Sequence, residues 1–278
     1  MVEDEFCEEY GTFRSLAWNE VMFWMVSRNL IKYKSNRVGM QTDLLYLKDQ
    51  YQKEGKGTVK FFEFTDLVVD KSVFYPTGDG QPNDRGKVII DGKEYVIVDT
   101  WNDGTDVHLM SHDTFPDGIK GKEVHQIIDW DVRYVHMRFR TALKIISGIV
   151  FKKYGATTRI NQTYDDQAWV DIEMDGDLTE ALVSELQDEA NSFVEKNLDV
   201  NFDYMPKTNF TEDQELMKIC KGRVPDFDPI RVLKIQGLPP QAEFGTDVLR
   251  TGEIGKIEFK TTMVKGKISK RLNVFLSK

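Results

Sequence analysis

Thr77-Gly78-Asp79-Gly80-Gln81 is the stretch whose residue types most resemble a ligand loop, and Ser72 lies just upstream. A phosphate-binding role fits it poorly, because it lacks the Lys-Ser/Thr of a P-loop and the Asp79 carboxylate would repel phosphate. Taken alone, the glycines read as a tight turn that uses unusual φ angles. Four histidines, His108, His112, His125 and His136, offer imidazoles. His108 and His112 fall in a strand and its following loop, so their spacing has no helical meaning. His136, one turn before Arg140, reads as structural. No Ser-His-Asp or Cys-His signature is present. Cys7 and Cys220 each stand alone, which suggests neither a disulfide framework nor a cysteine-rich metal site and fits a reducing cytosol.

The net charge of −9 and pI near 5.1 exclude nucleic-acid binding by a global positive field, so any RNA contact must use a local patch. One such patch is available. Residues 256–278 contain Lys256, Lys260, Lys265, Lys267, Lys270, Arg271 and Lys278, opposed only by Glu258. Lysines on a terminal hairpin can touch phosphates without reading sequence; the plain alternative is a solvated strand face.

With 278 residues, 40 % of them hydrophobic, the chain can bury a sizeable core in one large or two medium domains. The apolar run Val21–Val26 is too short to span a bilayer, and the acidic start at Glu3, Asp4, Glu5, Glu8 and Glu9 is unlike a secretory signal. A soluble cytoplasmic protein is expected, with neither membrane nor DNA as partner.

Residues 12–32 have helical apolar spacing, and residues 1–39 are either a helical extension or the product of a start assigned too early. From Thr58 to about Met110 the pattern is β. Asp91-Gly92 between Val88-Ile89-Ile90 and Tyr95-Val96-Ile97-Val98 predicts a type I′ hairpin. A small antiparallel barrel follows, ending near Phe115-Pro116-Asp117-Gly118, in a domain spanning 40–124. The remainder, 125–278, predicts helices over 131–153 and 179–197 and strands over 168–174, 199–205, 229–236, 253–261 and 271–276. The first helix carries a stripe of Val135, Phe139, Leu143, Ile146 and Val150. The expected class is α+β: a glycine-rich antiparallel barrel followed by helices on an antiparallel sheet.

Three stretches, in order, carry a resemblance. Residues 70–86, Asp-Lys-Ser-Val-Phe-Tyr-Pro-Thr-Gly-Asp-Gly-Gln-Pro-Asn-Asp-Arg-Gly, resemble F-Y-P-x-G-G-G-Q-P-x-D-x-G, with Asp79 in place of a glycine. Residues 137–144, Met-Arg-Phe-Arg-Thr-Ala-Leu-Lys, resemble M-R-x-H-T-A-L-H. Residues 243–255, Glu-Phe-Gly-Thr-Asp-Val-Leu-Arg-Thr-Gly-Glu-Ile-Gly, resemble C-G-G-T-H-V-x-x-T-G-E-I-G. Glu189-Ala190-Asn191 and Lys265-Gly266-Lys267 add smaller agreements. Over roughly residues 40–278 the chain resembles the AlaX-type family, which shares its editing domain with alanyl-tRNA synthetases.

That resemblance implies a stand-alone hydrolase that deacylates tRNA-Ala mischarged with serine or glycine, with the tRNA acceptor end as partner and Lys265, Lys267, Lys270 and Arg271 as contacts. It makes Ser72, Gly78, Asp79, Gly80 and Gln81 candidates for holding the aminoacyl group. A hydroxyl and an amide can pair with a serine side chain and reject its deoxy analogue. Asp79 would engage the substrate ammonium or face water. The family binds zinc through His-x-x-x-His and Cys-x-x-x-His, and this chain has Arg140, Lys144, Glu243 and Asp247 there. Arginine and protonated lysine have no lone pair for zinc, so no zinc cofactor is expected. Two cations on a helix facing two anions on a loop suggest an ion-pair quartet tying the two together, against the alternative of four solvated charges. The candidates for activating water are Asp247 or Glu243 as base, Thr141 as a hydroxyl contact, or the terminal ribose hydroxyl of the tRNA. A non-catalytic protein that binds aminoacyl-tRNA or another partner is the competing function.

Overall fold

The computed structural model describes residues 41–264 and 267–277, all within the unit Met40–Lys278. The helix expected over 12–32 lies outside the described residues.

A short strand, β1 (Asp43–Leu44), leads into one helical turn, α1 (Leu45–Lys48), and then into the barrel. Its strands are β2 (Glu54–Glu63), β3 (Asp66–Val69), β5 (Gly86–Ile90), β6 (Lys93–Asn102), β7 (Val107–Ser111) and β8 (Glu123–Ile128), closed in the order β2-β3-β7-β6-β5-β8. Between them, β4 (Lys71–Ser72) pairs parallel with β1. Asp91 at φ 51° and Gly92 at φ 79° form the predicted hairpin turn. Alternate residues of these strands, among them Val59, Leu67, Val88, Ile97, Leu109 and Val124, fill the interior.

The barrel does not end near residues 115–118, and a division after 124 cuts through a strand. Glu123–Ile128 pairs with both β2 and β5, so it is the strand that closes the ring. Closure removes the two edges that an open sheet would expose. Its alternation of exposed and buried residues matches the other strands.

A long helix follows, α2 (Trp130–Tyr154), and then β9 (Thr157–Thr163), β10 (Ala168–Glu173), α3 (Glu180–Lys196), β11 (Val200–Met205), α4 (Lys207–Glu212), α5 (Gln214–Ile219), β12 (Ile230–Ile235), β13 (Gln241–Ala242), β14 (Ile257–Val264) and β15 (Lys267–Leu276). The strands form a four-stranded sheet, β14-β15-β10-β9, and a three-stranded one, β11-β12-β13, so the class is α+β. The Asp129 side chain caps the start of α2, and Gly155 at φ 62° ends it. Burial along α2 exceeds the expected stripe. From Phe139 to Phe151 every residue but Lys144 is buried, because sheet and loops pack around the helix from several sides.

Two strand predictions shift. Residues 253–261 begin with a 3-10 turn, Thr251–Ile254, whose Glu253 carboxylate accepts from the Arg250 N–H at 3.0 Å, and the strand starts only at Ile257. The last strand starts at Lys267, not 271. Asn191 from α3 explains one of the smaller motif agreements. Its amide accepts from the Ile257 N–H and donates to the Ile257 carbonyl, both at 2.8 Å, fixing where β14 begins.

The barrel and α2 are tied by a fully buried ion pair. Arg133 Nε donates to Asp84 Oδ1 at 2.8 Å and Nη2 donates to Oδ2, and both side chains are 0 % exposed. The remaining donors of Arg133 reach the carbonyls of Val73 at 2.8 Å and Gln50 at 3.3 Å, while Asp84 accepts from the Tyr75 N–H at 2.7 Å. A buried pair tolerates its desolvation only when its other lone pairs and protons are met in this way. Asp84→Ala should therefore lower the urea midpoint by the equivalent of about 3–5 kcal/mol, with the m-value unchanged. A midpoint shift equivalent to less than about 1 kcal/mol would show that the pair does not hold the two parts together.

Candidate active site

The turn Thr77–Gln81 is folded by its own backbone: the Gly78 and Gln81 N–H groups each donate to the other's carbonyl, at 3.1 and 2.8 Å. Gly80, at φ 78°, lies so close to β9 that a Cβ would sit 2.4 Å from the Asn161 carbonyl oxygen, and its own carbonyl accepts from the Thr163 N–H at 2.7 Å. Asp79 adopts φ 49°, the left-handed conformation that glycine occupies freely. Its side chain is exposed and its carbonyl accepts from Arg140 Nη1.

Gln81 is fully buried and reaches the third motif. Its amide nitrogen donates to Thr246 Oγ1 at 2.8 Å, and its oxygen accepts from the Thr246 N–H at 2.9 Å. This reciprocal pair locks the glycine turn onto the loop after β13. Ser72 is placed differently, since its hydroxyl accepts from the nearby Phe74 N–H at 3.2 Å in a local turn.

Arg140, Thr141 and Lys144 project from the middle of α2 towards the same loop. Arg140 Nε and Nη2 lie 2.9 and 2.8 Å from Glu243 Oε1, and Lys144 Nζ lies 2.7 Å from Glu243 Oε2. Lys144 also donates to the Ala242 carbonyl at 2.7 Å. Burial raises the cost of charging Glu243, but the two cations outweigh it and hold the carboxyl far below the usual range. Gly245 makes the convergence possible. A Cβ there would meet Gln81 Oε1 at 2.6 Å and both Arg140 Nε and Glu243 Oε1 at 2.8 Å.

The expected quartet of two ion pairs is therefore a triad centred on Glu243, and the alternative of four solvated charges is wrong. Asp247 stands outside it. Its Oδ1 accepts from Thr141 Oγ1 at 3.1 Å, and its N–H donates to Gln50 Oε1 at 2.6 Å. Thr141 Oγ1 in turn accepts from the Val248 N–H at 3.1 Å. Burial, reinforced by the Glu243 charge, pushes the Asp247 carboxyl up to about 7, against the pull of Arg231, Arg140 and Lys144. A carboxyl raised by burial next to fixed charges is a recurrent mark of functional sites.

These positions do not fit zinc. Two of the four side chains are cations without a lone pair, and each oxygen of Glu243 faces a cation. Among the described residues no group of three or more His, Cys, Asp or Glu side chains is placed to hold a metal ion. His136 Nε2 lies 2.9 Å from Asp165, His108 Nδ1 2.8 Å from Asp66 and His125 Nε2 3.0 Å from Glu54.

Of the expected tRNA contacts, Lys265 lies outside the described residues, and only the backbone of Lys267 is described. Lys270 is exposed and donates to the Met174 carbonyl. Arg271, also exposed, pairs with Asp171 at 2.6 and 2.8 Å and covers the Trp169 ring at 3.6 Å. Gln50, Arg231 and Thr246 were not singled out from the sequence. Thr246 lies within the third motif and Arg231 stands between the apolar Ile230 and Val232 of β12, whereas nothing around Gln50 signals its role.

Two outcomes follow from this geometry. Arg140→Ala should destabilise by about 3 kcal/mol, a Tm loss of roughly 6–12 °C, because Glu243 stays buried with one cation fewer; an unchanged Tm would rule out the triad as a tie. Asp247 has a folded-state pKa above its unfolded value, so its contribution is complete below about pH 4 and is lost as pH rises through about 7. Asp247→Asn should then be more stable than the parent at pH 8, on the order of 1–3 kcal/mol, with the difference shrinking towards pH 4. Paired thermal melts at the two pH values measure this.

No protein-family model matches the chain. It is 34 % identical over 243 residues to the alanyl-tRNA editing protein AlaX-M of Methanosarcina mazei, covering 83 % of this chain and 95 % of that one. AlaX-M of Saccharolobus solfataricus is 32 % identical over 234 residues, covering 83 % and 97 %. The alanine–tRNA ligase of Thermococcus kodakarensis is 30 % identical over 225 residues, 80 % of this chain but 24 % of the ligase. With two AlaX-M proteins matched over nearly their whole length, the chain belongs to the AlaX-M family of alanyl-tRNA editing proteins.

Proposed function

We propose that the protein is a trans-editing hydrolase that cleaves the ester of tRNA-Ala mischarged with serine or glycine, and that it does so without zinc. The observation that carries this reading is the Asp247–Thr141 pair. It lies fully buried where the first and third motifs meet through Gln81 and Thr246, and its carboxyl has a raised pKa. A base poised near neutral pH is suited to taking a proton from water. Asp247 is therefore the candidate base, with Thr141 orienting it. Glu243, held ionised by two cations, serves the framework instead.

Binding is assigned to the glycine turn and the terminal hairpin. Gln81 spends one N–H on Thr246 and keeps a second, which suits a serine hydroxyl. Exposed Asp79 suits the substrate ammonium. Lys270 and Arg271, with Lys265 and Lys267, suit acceptor-stem phosphates. The second reading is a protein that binds aminoacyl-tRNA without hydrolysing it, favoured by the loss of all four zinc-ligand types and by the burial of Gln81, Thr141, Glu243 and Asp247.

Chelator-treated protein should deacylate Ser-tRNA-Ala and Gly-tRNA-Ala, spare Ala-tRNA-Ala, and lose at least 100-fold in rate on Asp247→Ala, the order expected for removing a general base. Absence of hydrolysis with retained tRNA binding would select the second reading.

A further inference from the structure

Arg231 is the buried charge of β12, 3 % exposed, whereas the strand's other charged residue, Lys234, is exposed and pairs with Asp203. Its guanidinium carbon lies 3.7 Å from the Phe202 ring centroid, and Nη1 donates to the Gly245 carbonyl at 2.9 Å. The Arg231 carbonyl accepts from the Glu243 N–H at 3.0 Å. Backbone and side chain are thus both fastened to the loop that carries the site. Nη2, however, is buried and has no hydrogen-bond partner among the described residues. Burying an unpaired polar group is costly, so proteins seldom leave one without a use.

Asp247 shows the complementary feature. Oδ1 and the backbone N–H are engaged, but Oδ2 is buried without a hydrogen-bond partner. Of the three cations that favour its ionised form, Arg231 acts most strongly, ahead of Arg140 and Lys144. An unpaired donor and an unpaired acceptor thus flank the same loop, held at fixed positions by their other contacts.

The geometry points to Arg231 as a substrate-binding residue of this site: Nη2 donates to the carbonyl oxygen of an aminoacyl ester while Asp247 Oδ2 faces the attacking water. This assignment rests on the hydrolase reading above. In the reaction, the water oxygen bonds to the ester carbon as the C=O π pair moves onto oxygen, and Asp247 takes the water proton. Arg231 stabilises the oxyanion, whose full charge a guanidinium binds more strongly than a neutral carbonyl. As the C=O re-forms, the bond to the ribose oxygen breaks and that oxygen takes the proton from Asp247. The products are the free amino acid and tRNA with its hydroxyl restored.

The test compares the full chain with Arg231→Met and Arg231→Lys, using Ser-tRNA-Ala turnover and binding of a 3′-serylamino-adenosine, whose amide keeps the carbonyl but resists hydrolysis. Arg231→Met should lower kcat by about 10²–10³-fold, the range for removing one oxyanion donor, with KM changed far less. Analogue affinity should fall about 5–10-fold, and the lysine variant should recover part of both. If Arg231→Met does not fold, the lysine variant and partial rescue of Arg231→Ala by guanidinium ion at millimolar concentration carry the test. Parent and variant hydrolysing at equal rates would overturn the role of Arg231 and leave the hydrolase reading standing. A parent that fails to hydrolyse would sink the hydrolase reading. Analogue affinity then decides alone: weaker binding in the variant supports the carbonyl contact, and equal or absent binding overturns it.

Discussion

Glu243 brings a negative charge to a place that water does not reach, and its presence there depends on Arg140 and Lys144. The helix supplying the cations is itself buried on nearly all sides, and Arg140 is buried with it while Lys144 is partly exposed. Such a cluster need not stabilise the fold more than an apolar one would, because desolvation offsets much of the attraction. What it does impose is position. Arg140 is bonded both to Glu243 and to the Asp79 carbonyl, so the glycine turn, α2 and the loop after β13 are held in one arrangement.

A second buried pair, Arg133 with Asp84, works two turns earlier on the same helix. Both pairs join a residue of α2 to a segment distant in sequence. The Gln81–Thr246 exchange closes the remaining side. These three links hold the motifs together, whereas Asp247 and Arg231 each retain one buried atom that no link uses.

Most of the fold was legible in local patterns. The Asp91-Gly92 turn, the helix over 131–153 and the strands of β10, β11 and β12 follow from turn chemistry and apolar spacing, each acting within a few residues. Where the structure departs from local pattern the causes are non-local. The role of β8 in closing the barrel is defined by partners far upstream, β2 and β5. The start of β14 is set by Asn191, which lies on a helix.

For the site, the sequence alone determined which residue types could meet: the motif order brings Gln81, Arg140, Thr141, Lys144, Glu243 and Asp247 into consideration, and charge chemistry argues against zinc. It also suggested that cations and anions pair across helix and loop. Tertiary structure decided which of them do. Glu243 takes both cations, and Asp247 is left to Thr141 and Gln50. Ser72 turns to its own backbone rather than to Gln81. Charge type is a property of a residue and can be read one position at a time. Pairing, burial and the resulting pKa depend on distances between segments about a hundred residues apart, which only packing sets.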